Sequence, residues 1–435
     1  MSRDKSIPAL ATLFAISLAL LVLGPSIMTS QSTRPAISEK ARQLHFSSIV
    51  IDTHTDTTQR FIDGDFDLAP RNEKGSVDIP RMKEGGVDAI FFAVWMPSKV
   101  RGPIAVERAQ KQIEAVHAQV KKHSDDLVFA TTADQIRAAR AQKKIAILLG
   151  IEGGHMINSD LAVLRKFSAE GVRYMTLTHS GNCEWADSST DKPVHNGLSP
   201  FGKQVIAEMN RLGMIVDVSH VSDKTFHDVL AVSKAPVFAS HSNCRALCDH
   251  PRNMSDAMIR ELAAKGGLIQ INFHVGFLSQ EFRNAERADP KVNQTIGLEV
   301  QKRCGNKEGC QLIEGDRITR EYVEAGKLPR VDWTKIIDHI DHAVRVAGID
   351  HVGIGSDFDG ANMPFGMEDA SMVPKITNAL LQKGYTEGDV KKILGENTLR
   401  LMSDVEREGK QLRGEKLQPT QEFRSKTDGE KTNDE

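Results

Sequence analysis

This chain of 435 residues has few Trp and Tyr residues and almost no net charge. Only three Trp and three Tyr are present, too few for the rows of stacking side chains that hold single-stranded nucleic acid. Lys and Arg number 56 against 58 Asp and Glu, a formal net charge of −2. Because no general basic field attracts phosphates, we expect no nucleic-acid partner.

Cysteine is also sparse, and the odd count of five leaves at least one thiol unpaired. Cys304 and Cys310 flank a five-residue loop, and a local disulfide is expected there if the protein is exported. Cys244 and Cys248 have helical spacing but no second pair, so they make a poor structural zinc site. Packing in the core is the better interpretation for both.

Long hydrophobic runs are lacking except near the N-terminus. Arg3 and Lys5 precede an apolar run over about residues 7–23, which is typical of a secretory signal and close in length to a membrane anchor. We therefore interpret residues 1–30 as a signal peptide or signal anchor, and expect a periplasmic protein or one anchored on the outer side of the membrane. Residues 411–435 are polar, are expected to be a disordered tail, and carry no hydrophobic signal for a C-terminal lipid anchor.

Past residue 47, short apolar runs alternate with amphipathic stretches, which is the β-α order of a parallel sheet. Eight runs are predicted to be buried strands, at about residues 48–52, 88–95, 144–149, 173–178, 215–219, 237–240, 268–273 and 352–356. They are nearly continuously apolar, as expected where helices cover one face and side chains fill the inside of a barrel. We predict an α/β fold, a (β/α)8 TIM-type barrel over residues 40–405.

Capping and stop residues predict several of the helices between these strands. One helix ends at Gly213, others begin after Ser222 and Ser255, and apolar residues share one face over 333–347. After the seventh strand, an insertion at about residues 275–330 shows no clear pattern. We predict that this irregular segment forms a wall or lid on the active-site face of the barrel.

Reactive side chains follow seven of the apolar runs, and all of them are His, Asp or Glu. The carboxyl ends of barrel strands meet on one face, which carries the active site of such enzymes. Imidazole and carboxylate groups suit a divalent metal ion rather than thiol or serine chemistry. The residues at these ends are His54 with Asp56, Glu152, His179, His220, His241, His274 and Asp357.

Several of these residues are candidate metal ligands. Residues two apart in a strand lie on the same side, so His54 and Asp56 can reach one ion. Glu152 lies among glycines at a strand end, where its two oxygens could bridge two ions. In Ser219-His220 and Ser240-His241, neighbouring side chains point to opposite faces, so neither pair is expected to act as nucleophile and base, and the histidines suit a second ion. Each residue alone could be a cap, a loop charge or a hydrogen-bonded core histidine, but their number and order favour metal binding.

Three residues are candidates for catalysis and substrate binding. Asp357 could take a proton from a metal-bound water and pass it to a leaving amine. The Asp-x-Asp-Gly sequence that begins there looks like part of a calcium loop, but the Glu that such a loop requires is absent. His179 could stabilise an oxyanion or be a hydrogen-bonded core histidine. Arg252 could bind a substrate carboxylate at two points or be an ordinary surface arginine.

Taken together and in order, these segments resemble the membrane dipeptidase (renal dipeptidase) family of zinc peptidases, in its bacterial exported form. The matching segments are Ile51-Asp52-Thr53-His54-Thr55-Asp56, Gly150-Ile151-Glu152-Gly153, Leu177-Thr178-His179, Asp217-Val218-Ser219-His220, Ser240-His241-Ser242, His250-Pro251-Arg252-Asn253 and Gly353-Ile354-Gly355-Ser356-Asp357-Phe358-Asp359-Gly360. They extend over residues 48–402. Any one segment is a weak signal, whereas the ordered set is specific.

The resemblance implies a barrel with two Zn²⁺ per chain, bridged by Glu152. It implies that His54 and Asp56 hold one zinc, and that His220 and His241 hold the other. It also implies that Asp357 moves the proton of a water between the metals. By the same resemblance, His179 stabilises the tetrahedral intermediate, and Arg252 binds the C-terminal carboxylate of a dipeptide.

The resulting hypothesis is a zinc-dependent dipeptidase whose partner is a free dipeptide, including those with a C-terminal D-residue. A first alternative is another binuclear-metal hydrolase on the same barrel, acting on an amide, a lactam or an N-acyl amino acid, because a fold does not fix its substrate. A second alternative is a binding protein without catalysis. The sequence leaves open whether the chain forms a homodimer.

Overall fold

Nine strands form one sheet in the part of the chain that the structure describes, a computed structural model covering residues 37–64 and 66–415. The strands are β1 (Ile51–Thr55), β2 (Ala89–Trp95), β3 (Leu127–Phe129), β4 (Ile145–Glu152), β5 (Val172–Thr176), β6 (Ile215–Asp217), β7 (Phe238–Ser242), β8 (Leu268–Ile271) and β9 (Val352–Ile354). All pairs are parallel, and eight of the strands follow the order β1-β2-β4-β5-β6-β7-β8-β9. These eight are the predicted strands, with ends shifted by up to three residues.

The sheet is nearly closed, because the chain just after β9 pairs with β1. The Asp357 amide donates to the His54 carbonyl oxygen at 3.1 Å, and the Asp56 amide donates to the Phe358 carbonyl oxygen at 2.9 Å. The first and last strands therefore deliver their carboxyl-terminal residues to the same edge. The predicted α/β barrel is confirmed.

Strand β3 is an addition that the sequence did not predict. It pairs with residues 145–147 of β4, whereas β5 pairs with residues 149–152 of the same strand. β2 occupies the other edge of β4, so β3 extends the edge that β5 leaves free. With three residues, β3 is too short to show a strand pattern in the sequence.

Alternate residues of the strands fill the barrel and cover its outside. Phe91, Tyr174 and Phe238 come from β2, β5 and β7. The ring centroid of Tyr174 nevertheless lies 5.4 Å from that of Phe91 and 5.3 Å from that of Phe238. Since these strands are not neighbours, the three rings must point into the barrel. The intervening Ile90 and Phe92 belong to the larger cluster packed between strands and helices. The inward aromatic rings form a packed floor beneath the carboxyl ends of the strands.

Seventeen α-helices lie between and around the strands in the described residues. They are α1 (Glu39–Ser47), α2 (Thr58–Asp63), α3 (Ile79–Glu84), α4 (Pro103–Lys122), α5 (Ala133–Ala141), α6 (Leu161–Ala169), α7 (Pro200–Leu212), α8 (Asp223–Val232), α9 (Asp256–Ala264), α10 (Val275–Leu278), α11 (Gln280–Ala288), α12 (Pro290–Cys304), α13 (Glu308–Glu324), α14 (Thr334–Ala347), α15 (Pro374–Gln382), α16 (Glu387–Lys391) and α17 (Asn397–Leu412). Short 3-10 helices cover Gly154–Ile157, Ile349–His351 and Ala370–Met372, and a π-helical turn covers Lys392–Glu396.

The predicted helix boundaries are confirmed. α7 ends at Gly213, which has the left-handed backbone expected of a C-terminal glycine. The side chains of Ser222 and Ser255 accept hydrogen bonds from the amides of the first turns of α8 and α9. α14 buries the apolar face that includes Ile336 and Ile340.

The insertion after the seventh barrel strand, β8, is helical, so the prediction of an irregular segment is wrong. It contains α10 to α13. α12 buries only Ile296 and Cys304, so no apolar stripe marked this helix in the sequence. Cys304 and Cys310 form the predicted disulfide, which joins the end of α12 to the first turn of α13. Cys244 and Cys248 are buried free thiols, in agreement with the predicted packing in the core.

Two predicted segments lie wholly or largely outside the described residues. They are the N-terminal signal or anchor at residues 1–30 and most of the polar tail at residues 411–435. Within the described part, no helix is both long enough and apolar enough to cross a membrane.

Candidate active site

The carboxyl ends of the barrel strands surround a pocket of about 210 Å³. Its wall consists of Asp56, Trp95, Glu152, His179, His220, His274, Phe277, Leu312, Asp357, Gly360 and Ala361. The side chains of His54 and His241 are almost fully buried beside this wall. The structure thus brings together the predicted residues that follow or end β1, β4, β5, β6, β7, β8 and β9. It adds a wall from the insertion through Phe277 of α10 and Leu312 of α13.

His54, in β1, has one ring nitrogen held and the other free. Its Nδ1 lies 2.8 Å from the Tyr174 hydroxyl, whereas the buried Nε2 has no hydrogen-bond partner among the described residues. That Nε2 faces carboxylate oxygens of Asp56 at 3.8 Å, Glu152 at 3.7 Å and Asp357 at 3.9 Å. These distances are too long for hydrogen bonds. An imidazole fixed through one nitrogen, with the other aimed at carboxylates, has the form of a metal ligand.

Glu152, at the end of β4, lies between several imidazoles. Its Oε1 lies 2.9 Å from His220 Nε2 and 3.2 Å from His241 Nε2, and its Oε2 faces His54. Two residues earlier, a Cβ on Gly150 would lie 2.0 Å from the Tyr174 ring. The absence of a side chain at Gly150 therefore lets Tyr174 pass through the barrel and reach His54.

His220 and His241 bring their Nε2 atoms to 3.0 Å from each other. His241 Nδ1 lies 2.7 Å from Ser240 Oγ, and that hydroxyl donates to Asp217 at 2.6 Å. Because the serine hydrogen is given to Asp217, Ser240 must accept from Nδ1–H, which leaves the lone pair on Nε2.

The contact between Ser240 and His241 corrects the expectation that these neighbours point to opposite faces. The pairing of β7 with β8 shifts register between Ala239 and Ser242, so the regular alternation fails there. Ser240 remains unsuited as a nucleophile, because its buried hydroxyl is held by Asp217.

Within residues 37–64 and 66–415, three groups of side chains place ligand atoms within 4.8 Å of one another and could hold metal ions. They are His54 with Glu152 and His241, Glu152 with His179 and His220, and His54 with Asp56 and Asp357. His54 and Glu152 each belong to two groups, so the candidate metal site is one continuous cluster. Asp357 and His179 lie within it, although the sequence indicated them only for catalysis.

Asp357 is held by Asn272 on one side and meets the Asp56 carboxyl on the other. Asn272 Nδ2 donates to Asp357 Oδ2 at 2.9 Å, and Asn272 Oδ1 accepts from the His274 amide at 2.6 Å. His220, Asp357 and Asp359 have positive φ angles of 67°, 65° and 62°. Strained backbone of this kind is common where a site demands a particular side-chain direction.

His179 is part of the cluster, and Arg252 lies next to it. Trp95 Nε1 lies 3.0 Å from His179 Nε2 and 3.1 Å from Nδ1. Arg252 is buried, and its Nη2 donates to the His241 carbonyl oxygen at 3.0 Å while its Nε has no partner. It forms no ion pair with a carboxylate of the described residues, and its guanidinium lies 5.2 Å from the ring centroid of Phe277, which lines the pocket. Arg252 is therefore a buried cation rather than the surface arginine that was the alternative.

Burial dominates the electrostatics of the cluster. It raises the pKa of Asp56 and Glu152 well above the ordinary value; repulsion by Glu152 and Asp357 adds to the effect on Asp56, and repulsion by Asp357 adds to the effect on Glu152. It lowers the pKa of His54, His220 and His241 well below the ordinary value. Neutral imidazoles beside crowded, desolvated carboxylates form a donor set that a divalent cation would stabilise.

Several supporting residues were not predicted from the sequence. Tyr174, Asp217 and Trp95 belong to strands that read as buried sheet, and their partners lie far away in the sequence. Asn272 could have been predicted as a supporting residue, because a buried amide next to an apolar run must find hydrogen-bond partners. Nothing in the sequence indicated that Leu312 would line the pocket.

Comparison with known proteins agrees with this geometry. The model of the family "Membrane dipeptidase (Peptidase family M19)" matches residues 38–416. The probable dipeptidase PvdM from Pseudomonas aeruginosa has 27% sequence identity and a TM-score of 0.71, over 85% of this chain and 98% of that one. The dipeptidase AC, a metallo peptidase of family M19, has 26% identity and a TM-score of 0.67, over 82% and 98%.

A metallo peptidase from Rhodobacter sphaeroides, liganded with a phosphinate mimic of the dipeptide L-Ala-D-Ala, shares the fold. Its identity is 24% and its TM-score 0.68, over 82% of this chain and 99% of that one. The family model extends over nearly all of the described barrel, and the resemblance seen in the sequence is confirmed. This chain belongs to the membrane dipeptidase family, peptidase family M19.

Proposed function

We propose that this metal-dependent dipeptidase works with two zinc ions bridged by Glu152. One observation carries the proposal: the two carboxylate oxygens of Glu152 face different imidazoles, Oε1 toward His220 and His241 and Oε2 toward His54. His54 and Asp56 would hold one ion, and His220 and His241 the other. The unpartnered His54 Nε2 and Asp56 Oδ1, both buried, fit this assignment, as does the preference of zinc for His and carboxylate ligands.

Bound zinc would lower the pKa of a coordinated water and polarise the scissile carbonyl group. The protein residues around the ions would then orient the substrate and move protons. The pocket is small and its base is buried, which limits the access of bulk water to the reacting groups.

Asp357 would accept the proton of the attacking water and pass it to the leaving amine. Burial raises the pKa of this carboxyl above its ordinary value, which makes it a better proton acceptor. The Asn272 amide holds Oδ2, so Oδ1 is the oxygen directed toward the cluster.

His179 would donate a hydrogen bond to the oxygen that becomes negative during hydrolysis. Burial lowers its pKa to about 3, so the ring is neutral and carries one N–H. One ring nitrogen accepts from Trp95, which leaves the other as a donor.

Arg252 would hold the C-terminal carboxylate of the dipeptide. Burial lowers its pKa to about 10, so the guanidinium stays charged at neutral pH. A buried cation without a carboxylate partner gains most when a substrate supplies one.

We further propose that the protein is exported, to the periplasm or to the outer side of a membrane. The Cys304–Cys310 disulfide supports this location, because such bonds persist in oxidising compartments. The protein recovered from a periplasmic fraction should carry this bond, and the mass of its N-terminal peptide would show whether residues 1–30 are cleaved.

The decisive experiment measures zinc per purified chain together with hydrolysis of L,L- and L,D-dipeptides and of N-acyl amino acids. About two zinc ions per chain with dipeptide cleavage is the expected result. Two ions with cleavage of N-acyl amino acids alone would point to a different amide substrate. A metal-free chain that stays inactive with added zinc would refute the proposal.

A further inference from the structure

Leu312, in the insertion, separates the active-site pocket from a second cavity. The active-site pocket has a volume of about 210 Å³ and the adjoining cavity about 260 Å³. Leu312 and Ala361 line both cavities. Since an alanine side chain is a single methyl group, Leu312 forms the larger part of the partition.

The adjoining cavity has a different chemistry from the active-site pocket. Arg81, Arg317 and Arg320 line it together with acidic side chains that include Asp316 and Asp369. None of these residues belongs to the candidate metal cluster. The cavity is therefore open space next to the substrate pocket that could accept the polar end of a longer side chain.

The first turn of α13, just before Leu312, is fixed to the barrel helices. The Glu308 carboxylate pairs with Arg108 of α4 at 2.6 Å. The Cys310 amide donates to Asp63 of α2 at 2.8 Å, and the disulfide ties the same residue to the end of α12.

The helix is fixed after Leu312 as well. Asp316 Oδ1 accepts from the Met363 amide at 2.8 Å, and Arg320 Nη2 donates to the Met363 carbonyl oxygen at 2.8 Å. Met363 lies in the same loop as Ala361, the other residue of the partition. Contacts on both sides make Leu312 a fixed wall rather than part of a swinging lid.

Building on the proposed dipeptidase function, we propose that Leu312 is a specificity-determining residue, which limits the length of the substrate side chain that lies against it. A short side chain fits between the cluster and the leucine, whereas a longer linear one meets the isobutyl group. Removal of that group would join the two cavities. The enzyme should therefore prefer small residues at one of the two dipeptide positions.

The test compares kcat/KM for two substrate series, X-Ala and Ala-X, with X as alanine, norleucine or glutamine. In Leu312→Ala, kcat/KM for the long substrates divided by kcat/KM for Ala-Ala should rise at least about 10-fold in one series. This is the discrimination that a pocket achieves between substrates differing by a few methylene groups. Leu312→Phe should lower that ratio, and Leu312→Met should keep it near the wild-type value.

The matched control is Ile313→Ala, which makes the same kind of truncation one residue along α13. Ile313 lines the second cavity and a third one, but not the active-site pocket, so its ratio should stay at the wild-type value. Zinc content and melting temperature of every variant check that the fold and the metal cluster persist.

Unchanged ratios in both series for both Leu312→Ala and Leu312→Phe would overturn the inference. If Leu312→Ala does not fold, unchanged ratios in Leu312→Phe suffice. An equal rise in Ile313→Ala would also overturn it, because the effect would then come from loosening of α13. A wild-type enzyme that binds zinc but cleaves no dipeptide would instead count against the proposed function.

Discussion

In the proposed two-zinc site, loss of a single buried hydroxyl, in Tyr174→Phe, should selectively weaken the binding of one of the two ions. The hydroxyl lies 2.8 Å from His54 Nδ1, and His54 is completely buried. The phenylalanine ring can keep the contacts with Phe91 and Phe238 and the space left by Gly150. The substitution therefore removes one hydrogen bond and little else.

The size of the effect follows from what the histidine loses. A buried N–H without a partner costs about 1–3 kcal/mol, and the loss of an outer partner of a metal ligand typically weakens the metal about 10- to 100-fold. The second range corresponds to about 1.4–2.7 kcal/mol, since each tenfold is about 1.4 kcal/mol. The two estimates agree. The ion that we propose to be held by His220 and His241 should keep its affinity, because Ser240 and Asp217 fix the His241 ring.

The assay is a zinc titration of metal-free protein against a competing chelator, fitted with two sites. One dissociation constant should rise and the other should stay. Tyr385→Phe is the matched control, since it removes a hydroxyl that donates to Asp341 at 2.9 Å, away from the cluster. Two unchanged constants in Tyr174→Phe would show that the hydroxyl does not position His54, and an equal change in the control would show an indirect effect.

Four further outcomes are expected. Gly360→Ala should lower kcat on the order of 100-fold, because the new Cβ would lie 1.7 Å from Asp56 Oδ2; near-normal turnover would contradict this tight contact. Asp357→Asn should keep the zinc content and lower kcat about 10²- to 10⁴-fold, and an unchanged kcat would exclude proton transfer by this residue. Arg252→Ala should raise KM for free dipeptides more than for dipeptide amides, and equal increases would exclude a carboxylate contact. The free energy of unfolding should fall in acid because of His45: burial lowers its pKa from 6.5 to about 4, so the unfolded chain takes up a proton that the folded chain does not. The contribution of His45 is complete above pH 6.5 and is lost as pH falls toward 4, by about 3 kcal/mol. In urea unfolding, His45→Asn should therefore lose less stability than the wild type between pH 7.5 and 4.5; equal losses would refute the assignment.

The residues that meet in the cluster could be predicted because each follows an apolar run. The carboxyl ends of parallel strands converge, so the order of the runs is enough to predict that His54, Glu152 and Asp357 share one face. The roles of these residues rest on resemblance and chemistry, and they stay predictions until the variants are measured.

The supporting contacts could not be predicted in the same way. Tyr174 reaches His54 across the barrel, a distance of 120 residues along the chain, and no local pattern indicates such a pair. Ser240 contacts His241 because β7 is irregular, which depends on its pairing with β8. The helices of the insertion could not be predicted because α12 and α13 are held by ion pairs such as Arg303–Glu314 more than by an apolar stripe.

The left-handed backbone at His220, Asp357 and Asp359 lowers the stability of the fold at positions in and beside the active site. Each such residue costs the fold on the order of 1 kcal/mol relative to an unstrained one, and glycine would remove most of that cost. A search for stabilising substitutions would therefore favour glycine at these positions, yet at His220 and Asp357 it would remove side chains of the candidate site. Thermostable variants of this chain are better sought on its surface helices, because stability gained at the rim of the pocket would come at the expense of catalysis.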